Sequence, residues 1–394
     1  MSSDLGYANL AHTVPLWQQV RPDFPVTERL IYLNHAAVAP LVRPASDRMR
    51  WLAEDACLHG SLHFDEWLAA YESLRTAAAQ LIGAHRDEIA LVKNTSEGIS
   101  TVALGLDWKP GDRIVAFREE FPANMYPWQR LAPRGVAIDW LSIYDPLDAI
   151  DRAARGAKLL AISYVNYLSG HRVDLNAIGE ICHRHGVFFF VDAIQGLGVF
   201  PLDVQKAHIG ALAADGHKWL LGPEGCGILY VRREWLDRIE PVEFGWTNVA
   251  GFADYASRDL TLRRDAARYE CGTLNTIGIF GLEASMRYLL MTGIERVGEA
   301  VLALSAQLIA GARSLGYEVL GENHPNTRSG IVTIRREGTD SRLLVSRLKD
   351  AGIIAAPRQG YVRLSPHFYI APEEIAQVLE QLSEPPPGRA VTTI

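Results

Sequence analysis

The sequence predicts an α/β fold: a large, mostly parallel sheet with helices on both faces, followed by a smaller α+β unit. Two observations predict it. From residue 89 to 231, short and strongly apolar runs alternate with helix-like segments. Runs that are apolar on both faces and separated by helices indicate a parallel sheet covered on each side. After residue 276 the order changes to two long helical patterns and then a mixture of short strands and helices, as expected of a second, smaller unit.

The elements follow in order. Residues 64–82 (FDEWLAAYESLRTAAAQLI) carry apolar side chains at helical spacing and predict an amphipathic helix. IALV (89–92), RIVAF (113–117), AIDWLS (137–142), KLLAIS (158–163), VFFFVD (187–192) and GILYV (227–231) predict strands. SEGISTVALGL, DLNAIGEICHRHG and the region after FPANMYPWQ predict the intervening helices. GIFGLEASMRYLLMTG and ERVGEAVLALSAQLIAGARSLG predict two long helices; strand-like YEVLG and GIVTIRR, helical SRLLVSRLKDAG, strand-like YVRLS and helical PEEIAQVLEQL complete the chain. The expected organisation is an N-terminal segment 1–40 packing on the small domain or a partner subunit, a large domain 41–275, a small domain 276–384 and a loose tail 385–394 that opens with PPPG.

Composition narrows the function classes. The chain has 394 residues, 48% apolar and 22% charged, near the globular average. A formal charge of −7 gives no basic surface for nucleic acid or anionic lipid. No apolar stretch of membrane-spanning length occurs, and the N-terminus lacks a basic n-region followed by an apolar run, so neither a membrane span nor a signal peptide is expected. Cys57, Cys182, Cys226 and Cys271 form no CxxC pair and no zinc spacing with histidine. Four scattered cysteines suit a reduced, cytoplasmic setting, and no metal site is expected. Of the 39 basic residues only six are lysine, so each lysine can be weighed singly.

Three segments carry chemistry. VFFFVDAIQG ends an apolar run with Asp192 and Gln195, and a carboxylate at the carboxyl end of a parallel strand points into the crevice where α/β sheets bind ligands. Twenty-six residues on, Lys218 stands in ADGHKWLLGPEG between His217 and Trp219. A lysine in an apolar, glycine-punctuated segment is costly unless neutralised or used covalently, and such an amine forms a Schiff base with an aldehyde cofactor. Upstream, KNTSEGIST (93–101) leads a strand into a helix, where unpaired N–H groups and the hydroxyls of Thr95 and Ser96 make a phosphate cradle. Each has a plainer reading: a helix N-cap for Asp192, a loop lysine for Lys218, a capping box at 94–98. Together they are the parts that hold pyridoxal 5'-phosphate, with the acid keeping the ring nitrogen protonated.

On these segments, together with YLNHAAVAP (32–40), EFPAN (120–124) and YECGTLNTIGIFGLEA (269–284), the chain resembles the class V aminotransferase family of fold type I pyridoxal phosphate enzymes, which includes cysteine desulfurases, kynureninases, isopenicillin N epimerase-like proteins and C–S lyases. The resemblance covers about residues 30–380. It implies that Lys218 carries the cofactor and moves the Cα proton, that Asp192 pairs with the ring nitrogen, and that Gln195 bonds the ring hydroxyl. Phe121 matches the side chain stacked on the ring face. Thr95, Ser96 and His217 match phosphate ligands. Gly272 and Thr273 match residues that reach the phosphate of a neighbouring subunit, implying a homodimer with shared active sites. Trp246 and Thr247 are further candidates for the phosphate. Arg363, in YVRLS, matches the arginine that takes the substrate carboxylate, with Arg358 as a second candidate; Asn34, His35 and His63 are candidates for the substrate side.

The sequence departs from the desulfurase pattern at three places. GIIAAPRQGYVR (352–363), where a mobile loop would carry the sulfur-accepting cysteine, contains none. Tyr167 stands where many relatives have asparagine, and Asp215 where desulfurases have a phosphate-binding serine. The expected activity is therefore a lyase acting at Cα and Cβ of an amino acid by β-elimination, through a Schiff base and a stabilised carbanion. An aminotransferase is the alternative; kynureninase-type cleavage, epimerisation and persulfide-forming desulfuration rank lower. A non-catalytic regulator fused to a DNA-binding head would need far more residues before YLNHAA than are present. The expected partner is a small amino acid, with no nucleic acid and no membrane.

Overall fold

The computed structural model of the protein describes residues 14–321 and 324–384. The expected tail at 385–394 lies outside the described residues. The described residues begin with α1 (Leu16–Val20), β1 (Ile31–Tyr32), α2 (Arg43–His59) and α3 (Phe64–Ile82). The central stretch comprises β2 (Ile89–Val92), α4 (Thr95–Gly105), β3 (Arg113–Phe117), α5 (Tyr126–Gln129), β4 (Ala137–Leu141), α6 (Leu147–Ala154), β5 (Leu159–Ser163), α7 (Leu175–His185), β6 (Phe188–Asp192), β7 (Ala211–Asp215) and β8 (Gly227–Val231). Then come α8 (Thr276–Thr292), α9 (Ile294–Ser314), β9 (Glu318–Val319), β10 (Val332–Arg335), α10 (Ser341–Asp350), β11 (Ile353–Ile354), β12 (Ala356–Arg358), β13 (Tyr361–Leu364) and α11 (Pro372–Ser383).

The large sheet has seven strands in the order β2-β8-β7-β6-β5-β3-β4. β8 alone runs against its neighbours β2 and β7; the other neighbouring pairs are parallel. β2, β6, β7 and β8 are buried along their whole length, as apolar side chains on both faces require. The sheet's outermost strand β4 is half-exposed.

The structure differs from the sequence reading at three points. β7 (ALAAD) is an internal strand in which three of five residues are alanine, a residue with little preference for strands, so the segment carries no strand signal; burial between β6 and β8 holds it there. The helix expected after FPANMYPWQ does not form: the residues between it and β4 carry only the 3₁₀ turn Ala132–Arg134, which contains Pro133, and the four-residue α5 lies within FPANMYPWQ itself, after the 3₁₀ turn opened by Pro122. α2 packs with α3 against α8, although its charged sequence gave no apolar period.

β9, β10, β12 and β13 form a separate antiparallel sheet in the order β12-β13-β10-β9. The N-terminal segment ties itself to this region. β1 pairs in parallel with β11, Asn34 bridges to Ser365, Phe24 stacks on Tyr369 at 3.9 Å between ring centroids, and Arg21 grips Glu374 with two hydrogen bonds of 2.8 and 2.9 Å.

Candidate active site

The carboxyl ends of the parallel strands gather the functional side chains. Ser163 closes β5, Asp192 closes β6 and Asp215 closes β7; Ser163 and Asp192 are directly paired across the ladder. β2 feeds α4, whose N-cap Asn94 accepts from the Glu97 backbone N–H at 2.9 Å through its side chain. These ends surround a cavity of about 380 Å³, closed on one side by the β12–β13 hairpin. Thr95, Ser96, Phe121, Asp192, Gln195, His217, Lys218, Arg358 and Arg363 all line it.

Lys218 is held on a tight turn. The Leu221 N–H donates to Lys218 O at 3.0 Å, and Gly222 N–H donates to Gly216 O at 2.9 Å. Leu221 adopts φ +58°, the left-handed region that costs a branched side chain roughly 1 kcal/mol or more. The turn is thus kept against local preference. Gly216 has room for no Cβ, which would fall 2.8 Å from Leu282 Cδ1 and 2.9 Å from Cys226 O. Burial lowers the Lys218 amine to about 8; Asp192 opposes that shift and Arg363 adds to it. Its Nζ lies 5.9 Å from the centre of the Phe121 ring, and Phe121 meets Tyr167 edge to face.

Asp192 is buried, and its Oδ1 accepts from the Ile194 N–H at 3.1 Å. Burial raises its carboxyl to about 6 against the pull of that N–H and of Lys218. Gln195 is oriented without ambiguity: its Oε1 accepts from the Trp219 indole at 2.8 Å, and its Nε2 donates to Ala36 O at 2.9 Å, leaving one N–H of the amide. Asp215 accepts from the Gly216 N–H at 2.8 Å and lies 3.2 Å from His217 Nδ1. Arg363 is buried; Nη1 donates to Tyr167 O at 2.7 Å, while Nε has no partner. Burial lowers its guanidinium to about 10, with Arg358 adding to the effect.

Several expected residues are placed elsewhere. His35 is fully buried, with Nδ1 against Ser365 O at 2.7 Å and Nε2 against the Tyr369 hydroxyl at 2.6 Å; burial lowers it to about 4. It does not line the cavity, and neither does Asn34; the neighbouring Ala36, Ala37 and Val38 do. His63 sits at the N-cap of α3, 2.7 Å from Asp55 Oδ1, again outside the lining. Trp246 is 49% exposed, and Thr247 hydrogen-bonds Glu270 O. Gly272 and Thr273 line a second, smaller cavity beside Cys271. None of these four reaches the Lys218 cavity of its own chain.

One buried acid escaped the sequence reading. Glu120, beside Phe121, accepts from the Ser163 N–H at 2.6 Å and from its hydroxyl. Burial raises it to about 7; the Ser163 hydrogen bonds oppose the shift and Asp192 adds to it. A carboxylate directly before the ring-stacking candidate Phe121 was the available signal. No cysteine lines the cavity. The hairpin that closes it turns through Gln359 at φ +49° and Gly360 at φ +83°, with no loop between the strands.

A family model described as Aminotransferase class-V matches residues 31–362. A probable cysteine desulfurase of Pyrococcus abyssi is 32% identical, the match covering 93% of this chain and 97% of that protein. An uncharacterized aminotransferase of Bacillus subtilis is 29% identical over the same shares of each. Among solved structures, the apo cysteine desulfurase of Thermococcus onnurineus superposes with a TM-score of 0.86 at 29% identity, covering 93% of this chain and 97% of that one.

Proposed function

The chain belongs to the class V aminotransferase family, whose cofactor is pyridoxal 5'-phosphate, and from that premise we propose that it is a lyase removing a β-substituent from an α-amino acid. The residues present fit the cofactor. Thr95 Oγ1 is buried at the start of α4 without a hydrogen-bond partner, Asp192 is a buried acid with no salt-bridge partner among the described residues, and Lys218 supplies an amine on the same cavity. Thr95, Ser96 and the free N–H groups of α4 would hold the phosphate, favoured by the helix dipole, with His217 beside them. Asp192 would hold the ring nitrogen, the spare Gln195 N–H the ring hydroxyl, and Phe121 would cover one face. When bound, the cofactor supplies an electron sink that makes a proton at Cα removable.

The protein's own groups do the rest. Lys218 would hold the cofactor's aldehyde carbon and, as a free amine, take the Cα proton; an amine lowered to about 8 is matched to work near neutral pH. Arg363 takes the α-carboxylate through a bidentate fork. The Cβ substituent leaves with the bond electrons and a proton, and the enamine product adds water to give a keto acid and ammonia. The leaving group meets no thiol in the wall supplied by its own chain: no cysteine lines the cavity, and Cys182 and Cys226 are buried elsewhere, where burial pushes both thiols up, Cys182 to about 12. The observation that carries the proposal is one cavity holding Lys218, Asp192 and an unpaired Arg363 with no cysteine in its wall.

The test is a product assay on the holoenzyme. Pyruvate and ammonia formed from a β-substituted alanine without any keto acid support the lyase. Turnover that requires an acceptor keto acid supports the aminotransferase, the reading favoured by the Bacillus subtilis relative. The homodimer is part of the same proposal. Exposed apolar side chains at Trp246, Tyr255 and Leu260 suit an interface, and Gly272 and Thr273 would then face the phosphate of the partner.

A further inference from the structure

The hairpin that presents Arg363 brings a second guanidinium to the same wall. In the β12–β13 ladder Ala356 lies opposite Arg363 and Arg358 opposite Tyr361. Opposed residues share a face, and so do alternate residues of one strand, so Arg358 and Arg363 are diagonal neighbours on one face. Such positions are about 7–8 Å apart, within reach of a single small ligand through long side chains. The spacing is set by backbone: the turn between them is two residues, both in the left-handed conformation that a tight hairpin needs.

Neither guanidinium is neutralised. Among the described residues no carboxylate lies within 4.0 Å of either. Arg358 makes one hydrogen bond, from Nη1 to Pro357 O at 3.2 Å; Arg363 makes one to Tyr167 O and leaves Nε buried without a partner. The acids that line the cavity pair with neither: Asp192 closes β6 and accepts from the Ile194 N–H, and Asp215 accepts from the Gly216 N–H. An α-carboxylate satisfies one fork. A second cation beside it, half-buried on the same wall, is left without its counter-charge.

We propose that the substrate is an α-amino acid bearing a second oxyanion on its side chain, the α-carboxylate held by Arg363 and the side-chain oxyanion by Arg358. This names the substrate class for the lyase site and rests on that reading. Tyr167 closes the same corner: its hydroxyl accepts from Gln359 Nε2 at 2.9 Å, tying the hairpin turn to the wall that carries Phe121.

The experiment measures binding of succinate and butyrate, four-carbon acids with two charges and one, to the holoenzyme by calorimetry. The expected result is that succinate binds about 10- to 100-fold tighter, and that Arg358→Gln brings succinate to the level of butyrate while leaving butyrate unchanged. Arg358→Lys should restore part of the difference. Equal affinity of the two acids, or a difference that survives Arg358→Gln, overturns the proposal. Turnover separates the two readings. Comparable KM values for anionic amino acids and their neutral amides, with keto acid formed from both, overturn the substrate class and leave the lyase standing. Selective binding of succinate with no keto acid from any amino acid overturns the lyase and leaves the two-anion site standing.

Discussion

Trp219 and Gln195 are joined by a 2.8 Å hydrogen bond from the indole N–H to the amide oxygen. The residue after the lysine thereby fixes the orientation of the amide three residues after the acid. Because Oε1 is occupied and Nε2 also reaches Ala36 O, only an N–H of Gln195 remains to meet a ligand. Trp219→Phe should leave a buried amide oxygen unsatisfied, at a cost of about 1–3 kcal/mol. Cofactor affinity should fall about tenfold, beyond the loss of thermal stability. Titration of the cofactor by fluorescence, beside thermal melting, checks this; an unchanged affinity would remove Gln195 from the cofactor contacts.

Lys218 sets the pH at which the cofactor-free protein takes up pyridoxal phosphate. Burial lowers its amine from 10.5 to about 8, so the neutral, reactive form is populated from about pH 8 upward. Reconstitution rates should reach half their maximum near pH 8. Lys218→Ala should retain no cofactor after borohydride reduction and gel filtration. A half-maximum near pH 10 would mean that the amine is not desolvated.

Asp192 and Glu120 make the cofactor-free protein respond to pH in an unusual sense. Both carboxyls are raised in the folded state, to about 6 and about 7. A raised carboxyl favours the protonated folded form, so stability is highest below the unfolded values near 4 and is lost as pH rises through 6 to 7. Glu120→Gln should remove its share, on the order of 2 kcal/mol between pH 5 and 8. Denaturant melts of apo protein at both pH values measure it; equal slopes with pH for the variant and the parent would count against the buried carboxyl. Bound cofactor should flatten the share of Asp192, because a ring cation would stabilise its charge.

The absence of cysteine from the cavity wall has a direct consequence. Replacing Cys57, Cys182, Cys226 and Cys271 together by alanine should leave kcat within about twofold. Stability should fall by about 1 kcal/mol for each of the two buried sites. Loss of sulfur release in that variant, with the fold intact by circular dichroism, would place a persulfide carrier among the four and return the chain to desulfurase chemistry.

The strength of the sequence reading lay in local signals. Lys218 among glycines, Asp192 at the end of an apolar run and Thr95–Ser96 at a helix start are each visible within ten residues, because strand ends and helix caps are short-range physics. Position in three dimensions decided the others. His35 sits one residue from the cavity-lining Ala36, yet its ring turns away to bind Ser365 and Tyr369. β7 is a strand only because β6 and β8 flank its alanines.

What the sequence by itself determined was the chemistry on offer: one candidate amine, one strand-end acid, one phosphate-binding turn, and no thiol in 352–363. What only the tertiary structure decided was convergence and vacancy. Two arginines five residues apart could have faced opposite sides of any loop. The two-residue turn at Gln359 and Gly360 puts them on one face, and among the described residues the fold places no carboxylate beside either, since pairing of charges across distant segments is set by packing and has no signature in the order of residues.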